Sequence, residues 1–347
     1  AVDTEANSLY AYQEQVCLIQ ISSPEEDYII DPLALDDLQP LKAMFADPAI
    51  EKVFHASEYD VNILWEDLGI EIENLFDTML AARILGWRKL GLDSLLEERF
   101  GIKVNKSFQR SDWSRRPLPA KMLRYAQQDT HFLIDIRHWL AERLKARGRW
   151  DVAQEDFQRA CRAHLRPRRE KLPPCWRMKE AKQLPPQKAA VLMKLSEFRD
   201  QTAREKDQPL FKILGKKTLL ALAKACPTSR QELERLNLSQ RRQVERYSEG
   251  LLHAIQEGLQ ADPISPPRQE RPDDAVLARE RALKDWRKGK AQQAGVNSAV
   301  ILPRYLLAEI ARKNPASREA LTKILAEVPL RNKHYGEEIL AVLSRVS

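Results

Sequence analysis

The chain has 347 residues, of which 43% are hydrophobic and 31% charged, with a formal net charge of +7. That length points to two or three domains, the apolar content is enough for real cores, and the mixed charge excludes wholesale disorder. The sequence lacks an apolar run of about 18 residues, so no membrane-spanning helix is expected, and its acidic start has none of the basic and apolar regions of a signal peptide.

The first element, AVDTEA, reads as a strand carrying Asp3 and Glu5 two apart and so on one face. VCLIQIS (16–22) and DYIID (27–31) read as paired strands around a Ser-Pro turn. KVFHA (52–56) reads as a short buried strand that leads into a helix from Ser57 to Leu68. Further helices fit Thr78–Leu85, Leu92–Phe100 and Pro119–Arg147. Strands first, then strand–helix alternation, predict an α/β layer with a mixed sheet.

Two proline-rich stretches, 166–186 and 262–274, interrupt this pattern and read as linkers, because proline continues neither helices nor central strands. Beyond them the chain reads as all-helical and repeats itself. A shift of 88 residues aligns Leu195 with Leu283, Arg199 with Arg287, Leu219 with Leu307, Ser229 with Ser317 and Tyr247 with Tyr335. Phe198 meets Trp286 in the same frame. One constant offset over such a span predicts two copies of one small helical module.

Charge divides along the same line. Residues 1–150 carry 18 Lys+Arg against 25 Asp+Glu, and residues 151–347 carry 39 against 25. A basic second part suits a polyanion; the acidic first part would repel one unless cations neutralise its carboxylates. The four cysteines (Cys17, Cys161, Cys175, Cys226) form no CxxC pair, so free thiols in a reducing cytoplasm are expected.

Asp3 and Glu5 on the first strand, Asp60 in the first turn of the helix after KVFHA, and Asp129 on a long helix one turn after Tyr125 come from separate elements. Brought together at one end of a sheet, such carboxylates would hold hard divalent cations, which prefer oxygen ligands and accept phosphate beside them. Each residue also has a duller role open to it. Asp3 and Glu5 could end an exposed strand, Asp60 could complete a capping box with Ser57, His55 could be a satisfied core histidine, and Tyr125 could sit at the rim of a core.

In this order the segments DTE (3–5), HASEYDVNIL (55–64) and YAQQD (125–129) resemble the three exonuclease motifs of the ribonuclease D family of 3′–5′ exonucleases, in the branch with four acidic residues and a tyrosine. The flanking QVCLIQIS, FDTMLAARILG and KSFQRSDWSRRPL strengthen the resemblance, and the helical copies are similar to the helicase-and-RNase-D C-terminal (HRDC) domain. The resemblance implies a ribonuclease H-like α/β exonuclease domain at 1–150, a linker at 151–186, HRDC domain 1 at 187–260, a linker at 261–274 and HRDC-like domain 2 at 275–347. Family members carry residues before the first motif, so upstream chain is expected, and its loss would weaken the sheet under Asp3 and Glu5. Ala6 stands where many members have a bulkier residue.

By the same resemblance, Asp3, Glu5, Asp60 and Asp129 would coordinate two divalent ions, Mg²⁺ or Mn²⁺, and Tyr125 would orient the attacking water. The expected activity is cytoplasmic trimming of structured RNA such as tRNA precursors, with no membrane and no obligate protein partner. A DNA-directed exonuclease and a non-catalytic nucleic-acid scaffold are the alternatives. Lys106, Arg110, Trp113 and Arg116 interleave charge with an aromatic ring, the pattern expected of residues that touch a single strand, while Trp113 could equally pack under the last helix.

Overall fold

The computed structural model describes residues 1–104, 106–165, 172–267 and 273–346. Parts of both expected linkers, 166–171 and 268–272, lie outside the described residues. The chain divides into two compact units: residues 1–6, 16–166 and 271–347 form one, and residues 7–15 and 167–270 the other.

In the first unit, β1 (Val2–Ala6), β2 (Val16–Ser22) and β3 (Asp27–Ile30) form an antiparallel sheet in the order β1-β2-β3. β1 pairs with β2 along its length, Asp3 opposite Gln20 and Glu5 opposite Leu18, with a bulge after Glu5. After α1 (Gln39–Ala46), the strand β4 (Lys52–Phe54) pairs in parallel with β5 (Leu75–Asp77) across α2 (Glu58–Leu68). Both pairing senses expected of a mixed sheet are therefore present, in two small sheets that meet where β1 lies against β4.

The helices α3 (Thr78–Ile84), α4 (Leu92–Phe100), α5 (Ala120–His131), α6 (Leu133–Ala146) and α7 (Trp150–Cys161) follow. The helix expected over 119–147 is broken at Phe132, whose ring packs on Phe100 with centroids 5.4 Å apart. Neither Gly nor Pro stands at the break, so packing sets it. α7 occupies the start of the stretch expected as linker. It buries Ala153, Phe157 and Cys161 against the α/β core, so residues 150–161 belong to the first unit.

The two helical copies are alike in detail. The first runs from α8 (Pro186–Glu205) through α9 (Leu210–Ile213), α10 (Lys216–Ala225), α11 (Arg230–Arg235) and α12 (Arg241–Arg246) to α13 (Ser248–Gln260). The second has α14 (Asp274–Ala294), α15 (Ser298–Ile301), α16 (Arg304–Lys313), α17 (Arg318–Ile324) and α18 (Pro329–Ser344). Arg199 donates to the Leu214 carbonyl at 3.2 Å, and Arg287 donates to the Leu302 carbonyl at 2.9 Å, the same bond 88 residues on. Ser229 and Ser317 cap equivalent helices, and Phe198–Tyr247 and Trp286–Tyr335 are equivalent edge-on pairs.

The first copy shares its unit with residues 7–15, where the Tyr12 hydroxyl lies 2.9 Å from Asp200 and the Tyr12 amide donates to Asp207 at 3.0 Å. The second copy folds within the first unit. Arg331, 1% exposed, reaches Glu155 at 2.5 Å and Asp156 at 2.9 Å on α7, and its Nε donates to the Val300 carbonyl. All four cysteines are free thiols. Among the described residues, no helix is long and apolar enough to cross a membrane.

Candidate active site

Strand geometry puts Asp3 and Glu5 on one face of β1. Their partner Asp129 comes from α5, which is fastened across the antiparallel sheet at three points. Ser22 on β2 donates to the Thr130 hydroxyl at 2.7 Å, while Gln127 and His131 both reach Asp27 of β3. This anchoring brings Asp129 over β1, and Asp3, Glu5 and Asp129 each offer a carboxylate oxygen, all within 4.8 Å of one another. The three line an open cavity of about 390 Å³ together with Tyr125, His55, Gln109 and Lys106.

Asp60 stands beside this group without belonging to it. It is 5% exposed, and its Oδ1 accepts a 2.5 Å hydrogen bond from the Thr4 hydroxyl. The capping-box role open to it is not used. Ser57 makes no side-chain cap and instead donates its hydroxyl to Asp77 at 2.8 Å.

Asp77 organises this whole corner. Its carboxylate accepts from the backbone amides of Ala56 and Ser57 on one side and Met79 and Leu80 on the other. Ala56 has φ +60, a left-handed conformation that a residue with a Cβ disfavours, and two of these bonds hold it and its neighbour there. The sequence signal for Asp77 was an Asp between a buried strand and a helix, the N-cap pattern.

The electrostatics of the cluster follow from burial and crowding. Burial raises Asp3 well above the usual carboxylate range, with repulsion from Asp60, Asp129 and Glu5 adding to it. Glu5 is pushed up to about 8 by burial and then by Asp129 and Asp60, and burial alone lifts Asp129 to about 7. Asp60 also rises to about 7 through burial, against the opposing Thr4 bond. Tyr125 is raised by burial and by the nearby Asp129, Glu5 and Asp3, so its hydroxyl keeps its proton at neutral pH. The side chain of Gln109 holds that hydroxyl, and the ring packs on Phe108 and Trp113.

A 3′-5′ exonuclease family model matches residues 1–145, and an HRDC domain model matches 188–255 and again 276–343. Ribonuclease D of Nitrobacter hamburgensis is 30% identical over 352 residues, covering 98% of this chain and 91% of that protein. The chain belongs to the ribonuclease D family. It is a 3′–5′ exoribonuclease by that membership.

Ribonuclease D of Escherichia coli, described as an exoribonuclease involved in structured RNA processing, superposes with a TM-score of 0.65. It is 27% identical over 94% of this chain and 92% of that one. Mouse exosome complex component 10 is 36% identical over 240 residues, 67% of this chain but 27% of its own length.

The exonuclease family is divalent-metal dependent, and the residues present fit such an ion. Three hard oxygen donors converge, and burial raises their pKa values, with mutual repulsion adding to it at Asp3 and Glu5, the direction that a bound cation opposes. The cation lining the same cavity, Lys106, is committed to Asp93 at 2.7 Å. Gln20, opposite Asp3 across the strand pair, is fully buried with both amide atoms unpartnered.

Of the four residues expected to hold a single strand, three are otherwise engaged, Lys106 by its ion pair with Asp93. Trp113 is 1% exposed and packs beneath Tyr125, so no base can stack on it; it supports the tyrosine. Arg116 clamps Asp31 with two 2.6 Å bonds and donates to the Cys17 and Trp113 carbonyls, which ties its loop to the sheet. Lys106 lines the cavity, and Arg110 is exposed.

Proposed function

We propose that this ribonuclease D-family chain trims the 3′ ends of structured RNAs, tRNA precursors among them, in the cytoplasm. It would release nucleoside 5′-monophosphates one at a time. The observation that supports this best is the convergence of Asp3, Glu5 and Asp129 one helical turn from Tyr125, in a cavity open to a strand end.

Asp3, Glu5 and Asp129, with Asp60 beside them, are the residues to hold two divalent ions, Mg²⁺ or Mn²⁺. Bound there, such ions neutralise a phosphodiester and lower the pKa of an attacking water. The chain's own part is positional. Desolvated carboxylates repel one another until a cation arrives, so the site is built to gain from binding one. Thr4 fixes Asp60 in one rotamer, and Asp77 fixes the turn that carries it. Tyr125, neutral and held by Gln109, donates or accepts a hydrogen bond and so orients a water without removing its proton. Arg110 and the net basic charge after residue 150 suit the anionic remainder of the substrate.

A hairpin RNA with a single-stranded 3′ tail, incubated with Mg²⁺ and with Mn²⁺, tests the reading. Stepwise release of 5′-mononucleotides with a stop near the stem is expected, and none in EDTA. Internal cleavage, or full activity of Asp129→Asn, would refute it.

A further inference from the structure

The carboxylates occupy one side of the cavity, and His55, just after β4, stands on its wall. Its hydrogen-bonding state is set by a short relay. The Thr78 hydroxyl donates its single proton to the Phe54 carbonyl at 3.1 Å, and His55 Nδ1 lies 2.9 Å from that same hydroxyl oxygen. With its proton on the carbonyl, that oxygen can only accept from the ring. Nδ1 therefore carries the hydrogen, and Nε2 of the neutral imidazole carries a bare lone pair.

Burial lowers the pKa of His55, which keeps the ring neutral at physiological pH. Among the described residues Nε2 has no hydrogen-bond partner. The nearby charged groups do not satisfy it. Asp93 is an acceptor already taken by Lys106, and Asp77 spends its oxygens on backbone amides and Ser57. Thr78 is in effect a tautomer lock, and what it leaves on this cavity-lining residue is an acceptor.

An acceptor on the wall of a nuclease site selects for a donor on the substrate. Close to the scissile bond, a polynucleotide offers phosphate oxygens and a sugar ring oxygen, which only accept, and on its last sugar two hydroxyls that donate, of which the 3′-hydroxyl is common to RNA and DNA. The 2′-hydroxyl donates, is present in every ribonucleotide whatever its base, and is missing from DNA. We propose that His55 is the residue that reads the sugar: its Nε2 accepts a hydrogen bond from the 2′-hydroxyl of the terminal nucleotide seated against the carboxylates. The proposal rests on that cavity being the nuclease site. It makes ribose specificity a property of this histidine.

The test compares removal of the terminal nucleotide from four RNA oligonucleotides that differ only in their last sugar: ribose, 2′-fluoro, 2′-deoxy and 3′-deoxy. Fluorine keeps the size and polarity of the hydroxyl but cannot donate. Wild type is expected to prefer ribose over 2′-fluoro by about tenfold in kcat/KM, the effect of one hydrogen bond. The same ratio should fall towards one in His55→Ala and recover in part in His55→Gln, whose side-chain carbonyl restores an acceptor. Thr78→Val, which unlocks the tautomer, should lower the ratio while His55 is still present.

A ratio measured within each variant cancels losses from misfolding or poor metal binding. An unchanged ratio in both His55→Ala and Thr78→Val would overturn the proposal. So would equal wild-type rates on ribose and 2′-fluoro ends, or a preference that follows the 3′-hydroxyl instead. Any of these leaves the carboxylate site standing, since that reading is tested separately by Asp129→Asn and by the search for internal cleavage.

Discussion

Asp129→Asn is expected to stabilise the metal-free protein while it stops RNA cleavage. Burial lifts this carboxyl from 3.8 to about 7 in the folded chain. A group whose folded pKa lies above its unfolded one supports the fold fully below the unfolded value. That support is withdrawn as pH rises through the folded value. At about 1.4 kcal/mol for each tenfold in acidity, full ionisation costs the apo fold about 4 kcal/mol. Solvent reaches a half-buried carboxyl, and screening cuts this to roughly 2 kcal/mol. The asparagine variant should thus be roughly 2 kcal/mol more stable than wild type at pH 8 in EDTA and indistinguishable near pH 4, with the gain emerging between about 4 and 7. Urea unfolding at both pH values measures it. Adding Mg²⁺ or Mn²⁺ should reverse the order, because an ion that binds the folded state stabilises it by mass action and wild type has the better site. A variant no more stable than wild type at pH 8 in EDTA, or equally favoured at pH 4, would show that Asp129 is not under the strain described.

Tyr125→Phe keeps the ring that packs on Phe108 and Trp113 and deletes only the hydroxyl. It should lower kcat by about 100-fold with KM and thermal stability little changed, as steady-state assays and a melting curve would register. Asp77→Ala removes the N-cap of α3 and the bonds to Ala56 and Ser57. A loss of about 3 kcal/mol in denaturant unfolding is expected, and Asp77→Asn, which keeps one acceptor oxygen, should lose less. Arg116→Lys exchanges a two-pronged clamp on Asp31 for a single point charge. It should cost about 1–2 kcal/mol in urea unfolding and weaken the near-ultraviolet circular dichroism of Trp113.

Much of the candidate site is legible in the sequence through the order of its three motifs, and local spacing explains part of the geometry. Alternation along AVDTEA puts two carboxylates on one face, and the four-residue step from Tyr125 to Asp129 puts them one helical turn apart. Distance in sequence hid the rest. Thr4 bonds Asp60 across 56 residues, and Arg116 reaches Asp31 across 85, so neither partner could be read from its neighbours. The basic residues around Trp113 leave stacking on a base and packing under a helix both open, and only the tertiary fold, which turns its side chain under α5, decides for packing. α7 was missed as well. A segment with Asp156 and Glu155 on its inner side does not look buried until Arg331 supplies the opposing charge. The 88-residue repeat was the most legible feature, since two copies of one module carry the same pattern twice.

That same Arg331 changes how the gene can evolve. A helical domain added at the end of an enzyme is commonly a cassette, gained or lost without harm to what precedes it. Here a stop at residue 275 would delete the guanidinium paired with Glu155 and Asp156, leave Asp156 only its bond to Arg159, and uncover the part of the core that Val300 closes. Loss of the second copy would first require replacements on α7, and in the core that Val300 covers, that tolerate water. Lineages with a shortened tail should carry those replacements, and the first copy, outside this arrangement, is free to diverge from its twin.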